Sequence, residues 1–62
     1  MPKVGEAIRQ LERDGWRIAR QRGSHRVFRH PTKPGTVTVP GHPNDELPTG
    51  TWNSIQHQAG WR

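Results

Sequence analysis

Glycine and proline interrupt this chain so often that only short regular segments fit between them. Seven glycines and six prolines fall among 62 residues, and these two residues are the strongest local breaks in helix and strand patterns. What lies between the breaks is patterned. From Lys3 to Asp14 the apolar residues Val4, Ala7, Ile8 and Leu11 recur at helical spacing and mark a helix with one buried face. Pro2 suits a first helical turn, Glu6 sits near the positive end of the helix dipole, and Gly15 supplies a left-handed stop. Trp16 to Arg20 alternates apolar and basic residues, a half-buried strand with Trp16 and Ile18 facing inward and Arg17 outward.

Gln21 to Ser24 reads as a turn leading into an antiparallel strand, His25 to His30, which Pro31 closes. Thr32 to Gly35 is a second turn, and Thr36 to Val39 alternates into a third strand that Pro40 stops. After a polar loop from Gly41 to Pro48, Thr49 or Thr51 can cap a helix running through Gln58. Trp52, Ile55 and Ala59 share one face of it, Gly60 is its stop, and Trp61 can fold back on its last turn. The order α-β-β-β-α predicts an α+β fold, a three-stranded antiparallel sheet with two helices on one face. Residues 1 to 62 are expected to form a single domain.

The core of such a chain is thin. Only 27% of its residues are apolar, and cores of this size supply about 3–5 kcal/mol of net stability. Cysteine is absent, so neither disulfides nor cysteine-based zinc sites can add support. Trp16, Trp52 and Trp61 must carry much of the burial, and at least two of them are expected in the core.

Ten Lys and Arg against five Asp and Glu give a net charge of +5. The excess is concentrated in Arg13, Arg17, Arg20, Arg22, Arg26, Arg29 and Lys33, with Asp14 the only acid in that stretch. A block of this kind attracts phosphate backbones, and its simpler reading is a generically solubilising surface. No stretch approaches the roughly 18 apolar residues of a membrane span, and the N-terminus lacks a signal-peptide core; a cytoplasmic location is the default expectation.

RNA cleavage without a metal needs a base for the 2′-hydroxyl, an acid for the leaving oxygen, and cations for the charge that builds on phosphate. Histidine titrates near neutrality and arginine forks two bonds to phosphate oxygens. His25 stands at the mouth of the first hairpin after Gly23 and Ser24, with Arg22, Arg26 and Arg29 nearby. The plainer alternative is an exposed histidine beside arginines by chance. His30 can bind phosphate or simply end a strand, the latter being favoured; His42 in the following loop reads as a surface residue rather than a second acid, and His57 as solvent-facing. Glu6, Glu12, Asp14, Asp45 and Glu46 are scattered, so no metal site or cofactor is expected, and no small-molecule ligand. Adjacent residues of a strand point to opposite faces, which argues against a Ser24 nucleophile activated by His25.

Gly23-Ser24-His25-Arg26, Phe28, His30-Pro31, Val37-Thr38-Val39-Pro40, His42, Glu46-Leu47, Gly50-Thr51, Ile55 and Gln58-Ala59-Gly60 together resemble the HicA toxins over nearly the whole chain. The resemblance implies a fold similar to the double-stranded RNA-binding domain and an mRNA interferase, a metal-independent endoribonuclease with His25 as its catalytic residue. Arg22, Gly23, Ser24, Arg26, Arg29 and Lys33 would contact the mRNA substrate. The resemblance also implies a HicB-type antitoxin as partner, covering the site. Two positions depart from the family pattern: Asp45 stands where many relatives carry lysine, removing a possible phosphate contact, and Trp52 where leucine is commoner. The rivals are a non-catalytic module that reads double-stranded RNA by shape, and an idle protein whose basic face meets only an acidic partner.

Overall fold

The computed structural model describes residues 2–62. Helix α1 (Val4–Arg13) leads into strands β1 (Arg17–Arg22), β2 (His25–Arg29) and β3 (Thr36–Val39), and helix α2 (Thr49–Gln58) closes the order. The strands form one antiparallel sheet in the sequence β1-β2-β3. This is the α+β arrangement that the sequence predicts.

Phe28 of β2 and Val37 and Val39 of β3 present one face of the sheet. They are buried together with Val4, Ala7 and Leu11 of α1, Ile55 of α2, and the flanking Trp16, Leu47 and Ala59. Of the three tryptophans only Trp16 is fully buried; Trp52 and Trp61 are half-buried and pack against the cluster, their rings edge to face at 6.2 Å. The expectation of two core tryptophans thus holds for one fully and for two in part. Trp16 also lies just before β1 rather than within it.

Ile18 corrects the sequence reading more sharply. It pairs with Phe28 and shares the helix side of the sheet, yet it is 50% exposed. β1 is the edge strand that the core cluster leaves uncovered, with all six residues exposed, so an inward-pointing side chain there finds little to pack on.

Both helices end in the same way. Gly15 (φ 101°) donates its N–H to Glu12 and Trp16 to Leu11; Gly60 (φ 79°) donates to His57 and Trp61 to Gln56. These paired bonds are the Schellman motif, which satisfies the carbonyls a helix leaves unpaired and brings the next residue back over its last turn. In each case that next residue is tryptophan. Both indole N–H groups then donate to one oxygen, Oδ2 of Asp14, at 3.1 Å from Trp16 and 3.0 Å from Trp61.

The helix starts differ from expectation. Pro2 precedes the N-cap, Lys3, and accepts a bond from Leu47. Lysine has no acceptor to offer the helix, and only the Glu6 carboxylate reaches back, taking the Lys3 N–H at 2.8 Å. The loop supplies the remaining acceptors: Val4 N–H donates to the Asp45 carbonyl and Gly5 N–H to that of Pro43. At α2 the cap is Pro48, and neither Thr49 nor Thr51 makes the side-chain cap that the sequence suggested.

Candidate functional site

The hairpin joining β1 to β2 leaves two turn residues, Gly23 and Ser24, between the paired Arg22 and His25. Gly23 has φ 58° and Ser24 an ordinary negative φ, the sense of a II′ turn with glycine at its first central position. Gln21 braces the turn by donating from Nε2 to the Gly23 carbonyl at 3.0 Å. The turn fixes the register, and the register fixes which side chains share a face.

Side chains opposite one another in an antiparallel pair point the same way. The pairs Phe28 with Val37 and Arg26 with Val39 lie on the buried side. Val27 with Thr38 and Arg29 with Thr36 therefore lie on the other, and His25, two residues before Val27, joins them. In β1 the register steps from Ile18 opposite Phe28 to Arg20 opposite Val27, so Ala19 is an extra residue, a β-bulge. Beyond it Arg20 and Arg22 point to the outer face with His25. Arg20, Gln21, Arg22, His25, Val27 and Thr38 line a shallow cleft of about 400 Å³ on that face.

The cations of the basic block divide into two groups. Arg17 donates to the carbonyls of Glu12 and Trp16 at the C-terminal end of α1, a favourable place for positive charge. Arg26 points to the helix side and donates to the Gly41 carbonyl at 3.1 Å, holding the loop after β3. Lys33 forms the one ion pair among the described residues, to Asp14 at 2.6 Å, and also donates to the Ala59 carbonyl. Arg20, Arg22 and Arg29 make no hydrogen bond or ion pair to any described residue, leaving their guanidinium groups available to a ligand. Arg29 sits four residues along β2 from His25, about 13 Å away at strand spacing.

The expected site residues are thus brought together only in part. His25 and Arg22 share the cleft, with Gly23 and Ser24 forming the turn at its end; Arg29 is on the same face but outside it; Arg26 and Lys33 are engaged elsewhere. Arg20 was missing from the expected set. Simple alternation from Ile18 turns it inward, and the bulge that reverses it leaves no mark in a sequence without glycine at that point.

The other histidines stand apart. His30 accepts N–H bonds at Nδ1 from Thr32 and Lys33, so it donates from Nε2 to the Asp14 carbonyl at 2.7 Å. Its ring meets Trp16 edge to face at 5.2 Å. It is a strand-ending, structural residue, as favoured from the sequence. His42 is exposed and its backbone N–H donates to Asp45 Oδ2, which explains the acid at that position as a turn former. Neither His42 nor His57 lines the cleft. Among the described residues no three His, Asp or Glu side chains converge as metal ligands would, and no helix is long and apolar enough to cross a membrane.

No curated protein matches the chain. The family described as HicA toxin of bacterial toxin–antitoxin matches residues 4–61, from the first turn of α1 through Trp61. With the α-β-β-β-α order and a match over almost its full length, the chain belongs to the HicA toxin family, and as a toxin of such a system it implies an antitoxin partner.

Proposed function

We propose that this toxin is an endoribonuclease that cleaves mRNA without a metal ion, with His25 transferring a proton at the scissile phosphate. The observation that carries this reading is the outer-face cleft, in which an exposed histidine shares a wall with guanidinium groups that have no partner among the described residues. The imidazole takes the 2′-hydroxyl proton or supplies one to the leaving oxygen. Arg22 forks onto the non-bridging phosphate oxygens, where charge grows as the pentavalent state forms. Gly23 and Ser24 offer a turn with little bulk, so the RNA backbone can come close, and Arg29 extends the cationic track along the strand. One imidazole cannot serve as base and acid in the same step, so water or the phosphate itself completes the proton transfer.

A HicB-type antitoxin with an acidic surface over this face silences the enzyme by occupying the same guanidinium groups. The rival reading, a module that recognises double-stranded RNA by shape, fits less well. Such a module presents cations at the start of its second helix, and Thr49–Gln58 contains no Lys or Arg.

The test compares the purified protein with His25→Ala on labelled mRNA in buffer containing a chelator, with folding and RNA binding checked for both. Cleavage by the unaltered protein alone supports the proposal. Equal cleavage by both removes His25 from the mechanism, and binding without cleavage by both moves the reading to the RNA-binding module.

A further inference from the structure

The bulge at Ala19 changes the chemistry of the outer face, and its effect can be counted. With regular pairing continued from Ile18 opposite Phe28, Ala19 would face Val27 and Gln21 would face His25. Arg20 would lie opposite Arg26 on the helix side. The observed register instead sets Arg20 opposite Val27 and Arg22 opposite His25. One inserted residue thus exchanges an alanine and a glutamine for two arginines beside His25. Bulges bend a strand and re-aim its side chains, and they recur next to active sites. An unpaired stretch on an edge strand is tolerable here because β1 has no outer neighbour whose ladder it would break.

We infer that Arg20 is a phosphate-binding residue of the site, placed there by the Ala19 bulge, and that it and Arg22 hold the RNA backbone from one side of the cleft while His25 acts from the other strand. Three observations converge on Arg20. It lines the same cleft as His25, its guanidinium has no partner among the described residues, and it faces Val27 and Thr38 rather than an acid. The strands themselves contain no Asp or Glu at all, so no carboxylate within the sheet competes with phosphate for it. Val27 gives the cleft an uncharged floor, so nothing of opposite sign beneath Arg20 and Arg22 offsets their charge.

The inference deepens the proposed function by adding a ligand for the same substrate, and its test does not depend on cleavage. The probe is a single-stranded oligonucleotide of mixed sequence with 2′-fluoro sugars, which carries every phosphate but no 2′-hydroxyl to attack with. Its affinity is measured by fluorescence anisotropy across a range of salt concentrations for three proteins. These are the unaltered toxin, Arg20→Gln, and Arg20→Gln combined with Gln10→Arg, which restores the net charge at an exposed position on α1. Loss of one phosphate contact weakens binding roughly tenfold at low salt and, for a single strand, lowers the slope of log affinity against log salt by about 0.7. The expected result is that both variants show this loss, because the charge on α1 is in the wrong place. Recovery in the double variant would show that net charge alone matters and would overturn the inference, as would an Arg20→Gln protein that binds like the original. If His25→Ala still cleaves mRNA while Arg20→Gln binds poorly, the catalytic reading fails and the assignment of Arg20 stands.

Discussion

Gly15 occupies a position where glycine is required twice over. Its φ of 101° is one that side-chain-bearing residues rarely adopt, and a Cβ there would come within 2.8 Å of Nε2 of His30. That nitrogen cannot retreat without losing its bond to the Asp14 carbonyl. Gly15→Ala should therefore cost about 2–4 kcal/mol, the sum of a left-handed backbone and a steric clash. Gly35→Ala, with φ 79° and open space around it, should cost only about 1 kcal/mol. Urea denaturation of the two variants checks the difference, and equal midpoints would remove His30 from the account. The stop at Gly15 was legible in the sequence as the end of a helical stripe. The second requirement was not, because it comes from a histidine fifteen residues away.

Among the elements, α1, β3 and α2 were the easiest to read, since each buries one face and its apolar residues keep a strict period. β1 was the hardest. β3 is also an edge strand but is covered by the core, whereas β1 contributes no residue to it, so burial does not enforce the alternation that Trp16-Arg17-Ile18 suggests. The consequence is measurable at Ile18. With half its surface exposed, Ile18→Thr should change stability by less than about 0.5 kcal/mol, as surface substitutions do. A loss above 2 kcal/mol in thermal or urea unfolding would mean that the strand is covered in solution. The candidate site was legible in the same uneven way. His25, Gly23 and Ser24 stand out by spacing, and Arg22 follows from its place beside the turn. Arg26 and Lys33 looked equivalent to it because linear proximity does not reveal that one points to the helix side and the other reaches Asp14.

At the scale of the whole molecule, charge and cohesion lie on opposite sides. The strands carry five arginines and a histidine, whereas every acid belongs to α1, the residue that ends it, or the loop before α2. On the helix side acids and cations are mixed, Arg9 and Arg13 of α1 offsetting Glu6 and Glu12 and Lys33 pairing with Asp14, so the uncompensated positive charge lies on the outer face of the sheet and turns that face towards a polyanion before contact. Cohesion on the other side centres on Asp14, which joins the end of α1, the β2–β3 loop through Lys33, and the C-terminal segment through Trp61. The Lys33 ammonium foremost, then the Trp61 indole, hold its carboxyl below the ordinary value of 3.8; desolvation opposes them, and the Trp16 indole adds a lesser lowering. A carboxyl that is harder to protonate in the folded than in the unfolded chain stabilises the fold above its unfolded pKa. That contribution disappears as pH falls through the folded one. Asp14→Asn should accordingly lower the melting temperature at pH 7, and the gap between it and the unaltered protein should close as pH is taken below about 4. A gap that stays constant with pH would assign the effect to packing rather than charge.

The placement of the three indoles has an optical consequence. Trp16, Trp52 and Trp61 all sit with the helices, and no tryptophan lines the cleft. Their emission follows the opening of the core and the release of the Asp14 clasp, while a ligand bound on the opposite face of the sheet leaves it nearly unchanged. The molecule thus carries a built-in reporter of its own folding that is largely blind to what it binds. In one cuvette, intrinsic fluorescence can register whether a variant is folded while a dye on the nucleic acid registers whether it is occupied.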